Sequence, residues 1–149
     1  MKSGEASKLL FFLFNDEKLF EFVQQVTGCE QIGCFSGRVY RVIPGRSHYH
    51  VWHTDADKHR MVAGSINLST EIYCGGALQI RKPQSEQVLH EVSNTGFGDA
   101  IFFRISPFLA HRLTDIKGTV AKTACAGWFQ SKPNWTSFLK KPVTSSEQA

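Results

Sequence analysis

The sequence has no run approaching about 18 consecutive apolar residues, so it holds no membrane-spanning helix. It has no internal repeat and no Pro-, Gly- or Ser-rich linker. Its 149 residues therefore read as one domain over 1–149. A block of basic residues is also missing. Seventeen Lys and Arg against 13 Asp and Glu leave a net charge of only +4, which suits anionic small molecules better than nucleic acid. Cysteine is scarce: Cys29, Cys34, Cys74 and Cys125 form no C-x-x-C pair, and the step from Cys29 to Cys34 is too loose for a typical zinc knuckle. The one short apolar run, Leu9 to Phe14, is followed by Asn15-Asp16-Glu17 with no small-x-small cleavage site. It reads as a buried helix rather than a cleaved segment. Free thiols and the missing signal point to a cytoplasmic protein with neither membrane nor nucleic acid as partner.

Hydrophobic residues at 42% and charged residues at 20% are ordinary values for a globular chain, and exclude a disordered or collagenous one. Twelve phenylalanines, beside three tryptophans and three tyrosines, predict a core built from flat rings. Residues 6–14 read as a first helix. Asn15 or Asp16 is a good N-cap for a second, in which Leu19, Phe22, Val23 and Val26 form an apolar stripe and Gly28 a stop. The helical leader thus covers about 6–28. From there short strands alternate with turns: Val39 to Ile43, Tyr49 to His53, Met61 to Leu68, Leu78 to Arg81, Val88 to Val92, Ala100 to Phe103, Ala110 to Leu113 and Thr119 to Gln130. About eight strands after a helical leader predict a mainly β fold, a jelly roll over about 33–132, with 142–149 as a frayed, flexible tail.

Within this frame His53-Thr54-Asp55 is the first candidate for chemistry. On a strand, residues two apart face the same side, so the imidazole and carboxylate converge. One further histidine would complete the two-His, one-carboxylate triad of non-haem Fe(II) oxygenases, and His111 opens a later strand that can return to the same place. Lys122 then stands alone among small apolar residues of the last strand. A buried ammonium needs a partner, and an anionic one fits best. Val120, Ala124, Ala126 and Trp128 share its face and leave room for a dicarboxylate between Lys122 and a metal.

The ordered set Pro44-Gly45, His53-x-Asp55, Gly75-Gly76-x-Leu78, Gly98-Asp99 with Phe103, His111-Arg112, Lys122 and Trp128-Phe129 resembles the 2-oxoglutarate and Fe(II)-dependent oxygenases of the prolyl 4-hydroxylase-like branch, over roughly residues 15–132. The resemblance implies a double-stranded β-helix with leading helices. It implies His53, Asp55 and His111 as ligands of Fe(II), and Lys122 as the residue holding the distal carboxylate of 2-oxoglutarate. It also implies O2 as oxidant, succinate and CO2 as products, and hydroxylation of an unactivated C–H in a small molecule or peptide side chain. Two departures stand out. The step from His111 to Lys122 is one residue longer than usual, placing an extra residue around Asp115 to Gly118. Ile43 occupies the place where many relatives carry a cosubstrate-binding tyrosine; Tyr49, and less strongly Asn67, are the replacements the sequence offers.

Competing readings use the same residues. A zinc hydrolase would draw on His48, His50 and His53, but Trp52 stands where its H-x-H-x-D-H motif needs aspartate, and His48 and His50 have the opposite strand parity to His53. An AlkB-like demethylase would need a second arginine where Trp128 stands. Retention of Asp55 argues against a halogenase. A noncatalytic binding module on the same fold is the alternative from another class, opposed by the full ligand set. Arg46, His59 and Arg104 are candidates for contact with an anionic substrate, although a solvated charge is the simpler reading of each; His90 reads as a rim or surface residue. Oligomeric state is not legible.

Overall fold

A computed structural model of the chain describes residues 3–45, 51–93 and 96–131. The first helix, α1 (Ser3–Phe14), ends at Asn15, whose side chain joins it to the sheet. Asn15 Nδ2 donates to Phe11 O at 2.8 Å and to Phe35 O at 3.3 Å, while its Oδ1 accepts from Phe35 N at 2.8 Å. The N-cap of α2 (Glu17–Thr27) is Asp16, which accepts from Lys18 N at 2.9 Å. Gly28, at φ 64°, ends the helix and donates to Gln24 O.

The two helices bury only part of what their sequence patterns predict: Val23 is in the core and Leu19 packs against it. In α2 the buried side chains are Phe20 and Val23, whereas Phe22 and Val26 are half exposed. The rotation follows from docking: the Phe20 ring meets Phe129 edge-on at 6.1 Å, and Phe22 reaches only the sheet margin at Phe102. The run Leu9–Phe14 is likewise buried on one side only. Leu10, Phe11 and Phe14 join the core, while Leu9, Phe12 and Leu13 face outward.

Nine strands are described: β1 (Cys34–Val42), β2 (Arg60–Asn67), β3 (Cys74–Gly75), β4 (Leu78–Arg81), β5 (Val88–Val92), β6 (Ala100–Arg104), β7 (Ala110–Leu113), β8 (Ile116–Lys117) and β9 (Lys122–Gln130). They form a four-stranded antiparallel sheet in the order β1-β9-β2-β6, a three-stranded sheet β5-β4-β7 and a short ladder β3-β8. The last strand starts at Lys122, three residues later than its apolar pattern predicts. Of the expected strand at 49–53, residues 49 and 50 lie outside the described residues, and its end makes one bridge, His53 to His111. The architecture is the mainly β jelly roll with N-terminal helices. No described helix is long and apolar enough to cross a membrane.

The pleat of the large sheet separates core from site. Cys125 and Phe129 of β9 point to the helices with Phe35 and Val62, and Phe14, Phe20, Val23 and Ile32 close over them. Gly37, Gly127 and Gly64 lie side by side across β1, β9 and β2 and leave a channel that phenylalanine rings fill. A Cβ at Gly127 would come within 2.8 Å of Phe35 Cζ, and one at Gly64 within 3.0 Å of Phe129 Cε2. Phe35 in turn stacks on Phe14 at 4.5 Å and tilts against Phe129 at 4.9 Å. Phe129, with no exposed surface, is therefore the hub of this core. Phe129→Ala should destabilise the chain by about 3–5 kcal/mol, read as a shifted midpoint in urea denaturation; a change below about 1 kcal/mol would mean that the ring cluster is not the stabilising core.

Candidate metal centre

His53 and His111 reach one point because their backbones pair. His53 N donates to His111 O at 3.1 Å, and His111 N to His53 O at 2.8 Å. Residues that exchange both bonds in an antiparallel pair project their side chains to the same side, and the two imidazole centroids lie 4.4 Å apart. Asp55 follows two residues after His53 and brings its carboxylate to the same place, 3.8 Å from His53 Nε2 and 3.3 Å from His111 Nε2. One donor atom from each residue lies within 4.8 Å of the others, a set able to hold a metal ion.

Neighbouring groups set the protonation and orientation of this set. Burial raises the Asp55 carboxyl, but hydrogen bonds from His111 and Trp128 and the charges of both imidazoles outweigh it and bring it down to about 2. The Trp128 indole donates to Asp55 Oδ2 at 2.9 Å, and Arg60 stacks over that indole at 3.8 Å while pairing with Asp55 at 3.8 Å. His53 Nδ1 lies 2.8 Å from the carbonyl of Val51, which can only accept. When the ring is neutral its proton therefore sits on Nδ1, and Nε2 presents its lone pair to the centre. The site opens on the His53 side, where that side chain is 48% exposed against 12% for His111. Ile80, Phe103, Ile105 and Leu109 form the apolar wall of a cleft that reaches Asp55 and His111.

Lys122 lies on the face of β9 that also bears Trp128. Between Lys122 and Trp128 that strand face carries Ala124 and Ala126, flanked by Tyr40 and Arg38 of β1 and by Asn67 and Ser65 of β2. Lys122 is 1% exposed, and burial alone pushes its ammonium down to about 8. The anionic partner expected from the sequence is not found among the described residues. Nζ instead donates to Gly76 O at 3.1 Å and lies 5.4 Å from the Tyr73 ring. The Gly75-Gly76 pair makes this approach feasible. Both residues have positive φ, and a Cβ would meet Asp115 O at 1.9 Å from Gly75 and Ile116 Cδ1 at 2.4 Å from Gly76.

Of the other candidates, Asn67 pairs with Ala124 and so shares the face that bears Lys122. Tyr49, with Arg46, His48 and His50, lies outside the described residues. Asn67 is fully buried with both ends of its amide on backbone: Nδ2 donates to Gly96 O at 2.9 Å and Oδ1 accepts from Ser69 N at 2.9 Å. Arg104 donates to Gly28 O at 2.8 Å and pairs with Glu30, which ties it to the end of α2. His59 sits 3.4 Å from Ser131 Oγ, and His90 is exposed on β5. Tyr40 and Tyr73, which sequence reasoning passed over, line the Lys122 end. Burial raises both phenols, Tyr73 to about 12, and Tyr40 shares a hydrogen bond with Ser65. The strand parity of Tyr40 with Val42 was the available signal, but it acquires meaning only when Val42 is known to pair with Lys122.

Residues 37–130 match the family model described as the 2OG-Fe(II) oxygenase superfamily, where 2OG is 2-oxoglutarate, and the chain belongs to that superfamily. Among solved structures it is similar to a prolyl-4-hydroxylase from Pseudomonas putida, with 19% identity and a TM-score of 0.58 over 76% of this chain and 60% of that one. It is also similar to an oxidoreductase of the 2OG-Fe(II) oxygenase family from Burkholderia pseudomallei, with 14% identity and a TM-score of 0.60 over 83% of this chain and 56% of that one. The chain thus spans about 60% of the length of these structures or somewhat less, and at such identities the likeness is one of fold. No curated protein matches the sequence.

The buried ammonium has a measurable consequence. Lys122 titrates at about 8 in the folded chain and at an ordinary 10.5 when unfolded, so between these values the unfolded chain binds more protons. Its burial therefore destabilises the ligand-free fold fully below about pH 8, and the penalty is relieved as pH rises toward 10.5. Lys122→Met should have a higher Tm than the parent at pH 7, with the difference shrinking at pH 10. A pH-independent difference would mean that the ammonium is already neutralised.

Proposed function

We propose that the chain is an Fe(II)- and 2-oxoglutarate-dependent dioxygenase that hydroxylates an unactivated C–H of a small molecule or peptide side chain, with release of succinate and CO2. The observation that carries this reading is the convergence of His53, Asp55 and His111 on one point beside Trp128, on a strand face that also bears the buried Lys122. Two neutral imidazoles and one carboxylate fit Fe(II) with positions left open, and an iron bound there, with 2-oxoglutarate and O2, would supply the oxidising chemistry.

The residues of this chain do the remaining work. His53 offers Nε2 because Val51 holds its other nitrogen protonated. Asp55 stays ionised throughout the physiological range, and the Trp128 N–H orients its carboxylate. Lys122 meets the distal carboxylate of the cosubstrate, with Tyr40 and Tyr73 beside it. Ala124 and Ala126 leave the cosubstrate its length. An anion there restores the charge partner that the ligand-free site lacks and raises the Lys122 pKa. The Ile80, Phe103, Ile105 and Leu109 wall favours a substrate that presents an apolar group to the centre.

Two experiments test the reading. His53→Ala, Asp55→Ala and His111→Ala should each abolish tight Fe(II) binding and the visible Fe(II)–2-oxoglutarate absorption band; full retention of both by any one variant refutes the ligand set. Lys122→Ala should leave iron binding intact but weaken 2-oxoglutarate by about two orders of magnitude or more, because losing one partner of a buried ion pair costs about 3–5 kcal/mol. An unaltered dissociation constant in an anaerobic titration would remove Lys122 from the cosubstrate site.

A further inference from the structure

The bridge that sets His53 beside His111 has a second face. Trp52 precedes His53 and Arg112 follows His111, so on the outer side of the same pairing Trp52 stands opposite Arg112. The Arg112 guanidinium lies 4.6 Å from the Trp52 ring centroid, and Arg81 of β4 lies 4.3 Å from it. Both cations are themselves held. Arg112 Nε donates to Gln79 Oε1 at 2.9 Å, Gln79 Nε2 continues the chain to Glu91 of β5, and Arg81 pairs with Glu86 at 3.3 Å. Arg81 Nε is buried without a hydrogen-bond partner among the described residues, which leaves the indole face as a main contact of that guanidinium.

We propose that Trp52, held by Arg81 and Arg112, is a positioning residue that keeps the His53 backbone in register with β7 and thereby sets the separation of the two imidazoles. The inference rests on reading His53 and His111 as metal ligands. The need for such a device follows from the backbone: among the described residues this edge of the sheet has a single bridge, whereas β4 pairs with β7 over four residues. The exposed His53 ring gives little hold on the inner face. A slip of one residue would send His53 to the outer face and bring Trp52 or Thr54 into the centre. Two guanidiniums on one indole oppose that slip, and their attraction strengthens as the ring leaves water. Trp52 lies on the face opposite His53 and acts through the strand.

The test uses the full chain with Mn(II) as the probe, followed by the electron paramagnetic resonance signal of the free ion, beside thermal denaturation. Trp52→Ala should weaken Mn(II) binding by about tenfold or more, the range found when groups supporting metal ligands are removed. Trp52→Phe, which keeps an aromatic face for both cations, should restore most of the affinity. Arg112→Met keeps the aliphatic stem and should weaken binding, and combined with Trp52→Ala it should add little, since both act through one contact. A Mn(II) dissociation constant for Trp52→Ala equal to the parent's overturns the proposal, as does equal weakening by Trp52→Ala and Trp52→Phe. If Trp52→Ala does not fold, an unchanged constant for Arg112→Met overturns it equally. A parent chain that takes up no Mn(II) refutes the metal-site reading itself, a result distinct from a parent that binds while its variants are unaffected.

Discussion

Strand β9 is paired on both sides, to β1 and to β2, and the alternation of its pleat assigns its residues to two tasks. Cys125 and Phe129 face the helices and anchor the ring cluster; Lys122, Ala124, Ala126 and Trp128 share the opposite face, where Trp128 reaches Asp55. Because the period is two, core and site are locked together: no shift of the strand can move one without moving the other. Trp128 and Phe129 are adjacent, yet one orients Asp55 while the other fills the core. The glycine row at Gly37, Gly127 and Gly64 belongs to the same constraint, since it lets phenylalanine rings lie close on the helix side while the opposite face stays lined by small residues.

Charge is distributed unevenly along that face. At one end Asp55 remains anionic because several donors converge on it; at the other Lys122 is a cation taken out of water with a backbone carbonyl as its hydrogen-bond acceptor. Buried carboxylates and ammoniums are normally paired in proteins, because the desolvation cost is otherwise uncompensated. In the proposed reading a metal ion would offset the negative end and a dicarboxylate the positive one, relieving the cost of the buried ammonium. Binding and stability would then be linked quantities, as in any protein whose ligand neutralises a buried group.

Much of this was legible in the residues. His53-x-Asp55 carries its geometry in its spacing, and His111 and Lys122 complete a pattern that chance seldom assembles in one order. The bounds of β4, β5 and β7 follow from turn residues around short apolar runs. Less legible was the rotation of α2, where Phe22 and Phe20 compete for one core position and the winner depends on where Phe129 lies. Tyr40 and Tyr73 were invisible for the same reason, since their nearness to Lys122 comes from partners distant in the chain.

The sequence by itself determined the helical leader, the alternation along the longer strands and the His53-x-Asp55 pair of the candidate metal centre, because each is written within a few neighbouring residues. Only the tertiary structure decided what lies across from what. The His53–His111 bridge, the Gly76 carbonyl on Lys122, the indole on Asp55 and the two guanidiniums on Trp52 each join residues more than about ten positions apart. Such contacts depend on register between strands, which the hydrophobic pattern constrains only to one face or the other, and on close approaches that only a folded backbone with glycine at Gly75 and Gly76 permits.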